Sequence, residues 1–281
     1  MHKILVPEQS KEIQEALELA QTHQILATNK IELPVGWYET TVNNFSDTQK
    51  ELIAKTQLNI DKDNLIFQAF VALNLGLYSG LLIGHEYTSK MVFLYTILFF
   101  SQENYLSSCF VTYHNEQLQI WTDCAFNIQP NAQQLNAIAT NAVHFYQGLS
   151  NNEPSVAFLS YATLNSAGGA PVQLVKDALT EFQKTNNAIA SFGPLQFDAV
   201  INTQVWAKKV GSTNTLTPNV LVFPDLNSGN IAYKVANQLA YQEFYGPFVL
   251  GPSHLVCDLS RSATSSEIFE TLSLMQKMLS K

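Results

Sequence analysis

Short apolar runs alternate with longer stretches of helical periodicity along most of the chain. Ile4, Leu5 and Val6 form an unbroken run ended by Pro7, and residues 10–22 then place Ile13, Ala16, Leu17 and Ala20 at helical spacing. This predicts a β–α opening, with a second strand over 24–27. Residues 37–44 are polar and give no readable pattern. Helices are expected over 48–56, 64–77 and 90–100, with a short strand at 81–83 and a loop over 85–89 between them. The runs 109–113 and 118–121 flank a polar turn at 114–117 and read as a pair of strands. A helix over 131–146, a loop over 148–154, a strand over 156–159 and a helix over 172–184 follow. Residues 197–205 and Lys208-Lys209 then lead into a polar linker at 211–218. A β-branched run at 220–223 is stopped by Pro224, which cannot donate to a ladder in a central strand. A helix is expected from near Asn230, and Leu255-Val256 is strand-like before a final helix.

Strands alternating with helices predict an α/β architecture of mainly parallel sheets, whose ligands sit beyond the strand C-termini. With 281 residues, 46% of them hydrophobic and 14% charged, the chain has enough apolar surface for a large core. The net charge of -8 and pI of about 5.2 argue against nucleic acid as a partner. The same charge means that an anionic substrate needs a local cationic pocket. Cys109, Cys124 and Cys257 have no metal-binding or redox spacing and suit small core residues of a reduced protein. The most apolar run, 91–100, is too short to span a bilayer, and with no charged-then-apolar leader before Met1-His-Lys-Ile-Leu-Val6 no signal peptide is expected. A cytoplasmic protein without a membrane or nucleic-acid partner is expected.

Three loops could carry chemistry. Residues 159–171 form a small-residue loop between a strand and a helix; it is no Walker loop, and as a bare pattern it reads first as a plain glycine-rich β–α turn. Residues 224–230 form a second polar loop before a helix, where backbone N–H groups could meet an anion. The third, 258–267, contains Arg261, the only arginine beside fourteen lysines. Bidentate recognition of phosphate or carboxylate is a task for which lysine is a poor substitute, although an ordinary surface ion pair would also hold an arginine. Glu267, six residues on, could return a carboxylate toward the guanidinium. Thr264-Ser-Ser-Glu267 is equally a capping box opening the last helix.

Taken together, these loops resemble the phosphate acetyltransferase (phosphotransacetylase) family. The matching segments are Leu159-Ser-Tyr161 with Ser166-Ala167, Gly193-Pro-Leu-Gln-Phe-Asp-Ala199, Ala207-Lys-Lys209, and Pro224-Asp-Leu-Asn-Ser-Gly-Asn230 with Tyr233-Lys234. Further on come Tyr245-Gly-Pro247 and Asp258-Leu-Ser-Arg261. Asp123-Cys-Ala-Phe-Asn-Ile-Gln-Pro130 and the opening Lys3-Ile-Leu-Val-Pro-Glu8 fit as well, and the resemblance runs over about 118–278. The segments Leu195-Gln-Phe-Asp198 and Pro224-Asp-Leu226 fit the acetyl branch better than the butyryl one.

The resemblance implies reversible transfer of an acetyl group between coenzyme A and phosphate, with CoA or acetyl-CoA as substrate, no prosthetic group and no metal. It implies that Arg261 stabilises phosphate and developing negative charge, that Ser260 helps hold the reacting groups, and that Glu267 stands where the family places the base for the CoA thiol. It further implies substrate contacts from Tyr161, Thr163, Ser166, Asn227, Gly229 and Asn230. Thr88-Ser-Lys90 is the best match for a segment in which the family has another arginine, so Thr88 and Lys90 join the candidate site. Two α/β lobes with mainly parallel sheets and an inter-lobe active-site cleft are expected, the first from 1–130 with 258–281 and the second from 131–257. A homodimer is expected too. The chain departs from the family at Thr163-Leu-Asn-Ser-Ala167, which lacks a lysine and a glycine, and at Ser262-Ala263 in place of Gly-Cys. Two alternatives therefore stand beside the acetyltransferase: a phosphate butyryltransferase, or a family member impaired in chemistry that binds acetyl-CoA or acetyl phosphate as a regulatory module.

Overall fold

The structure, a computed structural model, describes residues 3–102, 104–211 and 217–280; most of the linker expected over 211–218 lies outside them. The chain forms two compact units, residues 1–104 with 251–281, and residues 105–250. The first opens with β1 (Ile4–Leu5), α1 (Lys11–Thr22), β2 (Ala27–Thr28), α2 (Trp37–Asn43), α3 (Asp47–Thr56), α4 (Leu65–Asn74), β3 (Gly80–Ile83) and α5 (Ser89–Phe100). The second holds β4 (Ser107–His114), β5 (Gln117–Thr122), α6 (Ala132–Leu149), β6 (Ser155–Leu159), α7 (Ala170–Thr185) and β7 (Ala190–Leu195). It continues through α8 (Phe197–Ile201), α9 (Thr203–Val210), β8 (Val220–Val222), α10 (Leu226–Ala240) and β9 (Tyr245–Leu250). The chain returns to the first unit with β10 (Leu255–Asp258) and α11 (Ser265–Leu279).

In the first unit the strands run β2-β1-β3-β10, all parallel. Ile4, Leu5, Leu81, Leu82, Val256 and Cys257 are fully buried, which is why these strands read as unbroken apolar runs rather than alternations. α1 presents Ile13, Ala16 and Ala20 and α11 presents Ile268, Leu272 and Met275 to this core. Phe67, Phe70, Tyr95 and Phe99 from α4 and α5 make an aromatic cluster, with Phe70 and Tyr95 stacked at 5.6 Å. Burial pushes the Tyr95 hydroxyl up to about 12.

In the second unit the order is β9-β4-β5-β8-β6-β7. β5, β8, β6 and β7 are mutually parallel, while β4 is antiparallel to both β5 and β9. Phe110, Trp121, Leu159, Trp206, Leu221 and Phe223 form one buried cluster. The mixed α/β architecture with mostly parallel strands is as expected. The division is not: residues 105–130 belong to the second unit and 251–257 to the first. Strand pairing is the reason, since β4 and β5 pair with β9 and β8, while Leu255 to Asp258 pair residue for residue with Gly80 to Ile83. Several elements also differ from expectation, α8, α9 and β9 among them, since no element was assigned to their residues. α2 forms over the unreadable stretch, β7 was not anticipated, and α10 starts at Leu226, four residues before Asn230.

Candidate active site

Parallel pairing puts the turns after β1, β3 and β10 at one end of the first unit's sheet. The turn after β10 carries Ser260, Arg261 and Ser262, all exposed, between buried Leu259 and Ala263. Leu259 N–H donates to the carbonyl of Ile83 at 2.7 Å, and Ala263 N–H to the carbonyl of Ser260 at 3.0 Å. The Ser260 and Ser262 hydroxyls lie 2.9 Å apart. A ring nitrogen of His85 sits 3.3 Å from the carbonyl of Ala263, so the turn after β3 braces the one bearing Arg261. Among the described residues Arg261 makes no ion pair, which leaves its guanidinium open to a ligand.

Glu267 lies at the start of α11, where its carboxylate accepts from Thr264 N at 2.8 Å and Thr264 Oγ1 at 2.9 Å, while Thr264 accepts from Glu267 N. The capping box legible in the sequence is formed. Thr88 likewise caps α5 by accepting from Met91 N, and Lys90 is exposed on that helix's first turn.

Two acidic side chains behind these turns were not singled out in the sequence. Glu8 is fully buried and its carboxylate accepts from the backbone N–H groups of Gly84 at 2.9 Å, His85 at 3.2 Å and Glu86 at 2.6 Å. Burial raises this carboxyl despite the three donors. Asp258 closes β10 at 1% exposure, and neither carboxylate oxygen meets a hydrogen-bond donor. Burial pushes it up to about 7 and the Glu8 charge adds to the rise; the Ser89 hydroxyl is near enough to lower it but does not meet hydrogen-bond geometry with either oxygen.

The second unit gathers the turns after β5, β8, β6 and β7 at one sheet end. The loop after β6 is held by its own side chains. Thr163 N–H donates to Ser166 Oγ at 2.9 Å, Thr163 Oγ1 bonds Gln196, and Tyr161 donates to the carbonyl of Gly168 at 2.7 Å. Tyr161 and Ser166 are exposed and Thr163 is 4% exposed. α7 then begins at Gly169 with no side-chain cap, so its first N–H groups are not met by a side chain. α10 is different, because Asp225 caps it by accepting from Ser228 N at 2.9 Å. Asn227 is exposed, and Asn230 donates to the carbonyl of Cys124 at 3.0 Å.

That carbonyl belongs to a tight turn built on Asp123, which sequence reading used only as part of a motif. The buried Asp123 carboxylate accepts from Ser108, the N–H groups of Ala125, Phe126 and Asn127, and the Asn127 side chain. Burial still raises it. Gly229, expected to meet substrate, has its N–H bonded to the Asp225 carbonyl and packs on this turn, where a methyl group would lie 2.6 Å from the Asp123 carbonyl oxygen. Gly229→Ala is expected to destabilise the protein by about 3 kcal/mol, because the obstacle is backbone and cannot swing away. A urea midpoint within error of wild type would contradict that close approach.

Arg261 thus stands free on a braced turn, with Ser260 beside it and Glu267 six residues on. The sequence model of the phosphate acetyl/butaryl transferase family matches residues 2–276. The chain belongs to this family. It is 39% identical over 193 residues to the phosphate acetyltransferase of Mycoplasma genitalium, covering 68% of this chain and 60% of that protein. It is 39% identical over 174 residues to the phosphate acetyltransferase of Corynebacterium glutamicum, covering 60% and 51%. The chain's match therefore spans between half and two thirds of these curated relatives. The fold is that of EutD phosphotransacetylase from Staphylococcus aureus, with a TM-score of 0.78, 24% identity, all of this chain and 94% of that one. A phosphotransacetylase from Streptococcus pyogenes gives 0.76 and 24% with the same coverage. At that identity the solved structures speak for the fold. Among the described residues, no helix is long and apolar enough to cross a membrane and no group of three or more metal-ligating side chains occurs.

Proposed function

We propose that this family member is a phosphate acetyltransferase, moving an acetyl group reversibly between coenzyme A and inorganic phosphate. The observation that carries the reading is the unpaired, exposed Arg261 on the turn after β10, flanked by Ser260. In the direction of thioester synthesis the CoA thiol gives up its proton, the thiolate forms a bond to the carbonyl carbon of acetyl phosphate, and phosphate leaves with the electrons of the C–O bond. A thiol of pKa about 8.5 needs a base near neutral pH, a role Glu267 takes in this reading. The tetrahedral oxyanion and the departing phosphate need a fixed cation, supplied by Arg261. Ser260 helps hold the reacting groups. Tyr161, Thr163, Ser166, Asn227, Gly229, Asn230, Thr88 and Lys90 are assigned to substrate binding, with Thr163 and Ser166 shaping the loop and the uncapped start of α7 offering N–H groups to an anion. No prosthetic group is needed, and a cytoplasmic homodimer goes with the reading; sedimentation of the purified chain tests the latter.

The test is steady-state acetyl-CoA formation from acetyl phosphate and CoA, run beside butyryl phosphate and beside CoA binding by calorimetry. Turnover with acetyl phosphate in preference to butyryl phosphate supports the proposal. Silence with both donors together with CoA binding would replace it by the regulatory reading, and the reverse preference by a butyryltransferase.

Glutamine at position 267 separates base from cap, because a capping box accepts Glu or Gln at this position. Glu267→Gln is expected to lower kcat about a hundredfold at neutral pH while thermal unfolding stays near wild type. Equal activity in the variant would leave Glu267 as a cap alone.

A further inference from the structure

Asp258 is the one described carboxylate that is both 1% exposed and without a hydrogen-bond donor. An ionised carboxylate left in that condition is costly, whereas a protonated one is tolerated. Its position gives this a consequence. It ends β10 directly before the turn bearing Ser260 and Arg261, and it packs on the backbone of Gly84. Gly84 is itself tied to Glu8, and the neighbouring Ile83 carbonyl and His85 ring bond the turn at Leu259 and Ala263. Among the described residues, the groups that act on Asp258 are the Ser89 hydroxyl from the start of α5 and the Glu8 carboxyl from the turn after β1, neither a cation; its own charge in turn raises the buried Cys257 thiol of the same strand.

We propose that Asp258 is a positioning residue for the Ser260–Arg261 turn, that it works as a neutral carboxylic acid, and that loss of its proton loosens the turn. Once ionised, the side chain must draw in water or compete for the Leu259 N–H that now donates to Ile83, and it is repelled by Glu8. The importance of this for catalysis rests on the acyltransfer reading; the effect on the turn does not. Burial supports the sign. A carboxyl raised on folding binds its proton more tightly in the native state, so its contribution to stability declines as pH climbs from about 4 through about 7 and is flat above.

Asparagine mimics the neutral acid and alanine does not. The test compares wild type, Asp258→Asn and Asp258→Ala by amide hydrogen exchange over 259–263, by thermal unfolding and by kcat, each between pH 5.5 and 8.5. Relative to Asp258→Asn at the same pH, wild type should lose protection over 259–263 about fivefold or more, and lose melting temperature, as pH rises. At low pH, Asp258→Ala should have a kcat at least about tenfold below that of Asp258→Asn, with the larger change in kcat rather than KM. A wild-type to Asp258→Asn comparison that is flat across this range in both exchange and melting would overturn the proposal. So would an Asp258→Asn variant as poorly protected and as slow as Asp258→Ala at every pH, since the charged form would then be the working one. A wild type without any turnover would sink the proposed function, yet exchange and melting would still decide the state of Asp258.

Discussion

Arg261→Ala is expected to lower kcat/KM for acetyl phosphate about a thousandfold, with the melting temperature unchanged. The guanidinium is exposed and makes no ion pair among the described residues, so its removal leaves no buried partner behind and should not affect folding. Removing one fixed donor from a developing oxyanion typically costs about 3–4 kcal/mol, and here the same group also holds the phosphate. No other arginine can substitute, because the chain has none. Arg261→Lys restores the charge without the planar fork and should fall between the two, recovering about tenfold. Steady-state kinetics with matched unfolding curves decide this, and an alanine variant within threefold or so of wild type would remove Arg261 from the chemistry.

Gly84→Ala is expected to be the most damaging single methyl addition in the first unit, costing about 4 kcal/mol or preventing soluble expression. Two causes act together. Gly84 has φ of +124°, a region closed to residues with a Cβ, and the added carbon would overlap Asp258 Oδ1 and lie 2.9 Å from both the N and the O of Leu259. Gly36, with φ of +77° and nothing within 4 Å of an added Cβ, provides the control. Gly36→Ala should show only the cost of left-handed backbone, about 1–2 kcal/mol. Urea unfolding of the two variants compares strain alone with strain plus overlap, and equal losses would contradict the packing described for Gly84.

The legible parts of this fold were those whose signal is local. Buried parallel strands such as β1, β3 and β8 appear as apolar runs, and α1, α6 and α7 carry their faces in their spacing. The cap on α11 is written into Thr264 and Glu267. α2 was opaque because it is only seven residues long and half-buries Trp37, Tyr38 and Val42, too short a run to show helical periodicity. β7 was missed because Gly193 and Pro194 interrupt its run, which an edge strand can tolerate. The misplaced unit boundary has the same root: whether 105–130 join one unit or the other is set by which strands β4 and β5 pair with, and local pattern carries no such information.

In the candidate site, Ser260, Arg261 and Glu267 were legible as a motif, while the residues that hold them were not. Glu8 meets its three N–H partners nearly eighty residues away, a contact created by parallel pairing of β1 with β3. Asp258 reads in sequence as one more motif residue; only its burial without a donor sets it apart. Gly229 carries a second requirement that sequence did not show, the close approach of the Asp123 turn beneath it.

The central claim is that phosphate accepts the acyl group from acetyl-CoA, and that acetyl phosphate gives it back in the reverse direction. The most direct measurement incubates the purified chain with acetyl-CoA and inorganic phosphate, traps any acyl phosphate as its hydroxamate and measures free CoA thiol in parallel. Acetyl phosphate and CoA thiol appearing in equal amounts, only when phosphate is present and not with Arg261→Ala, is the predicted result. Thiol release that is independent of phosphate, with acetate as the product and no hydroxamate formed, would contradict it.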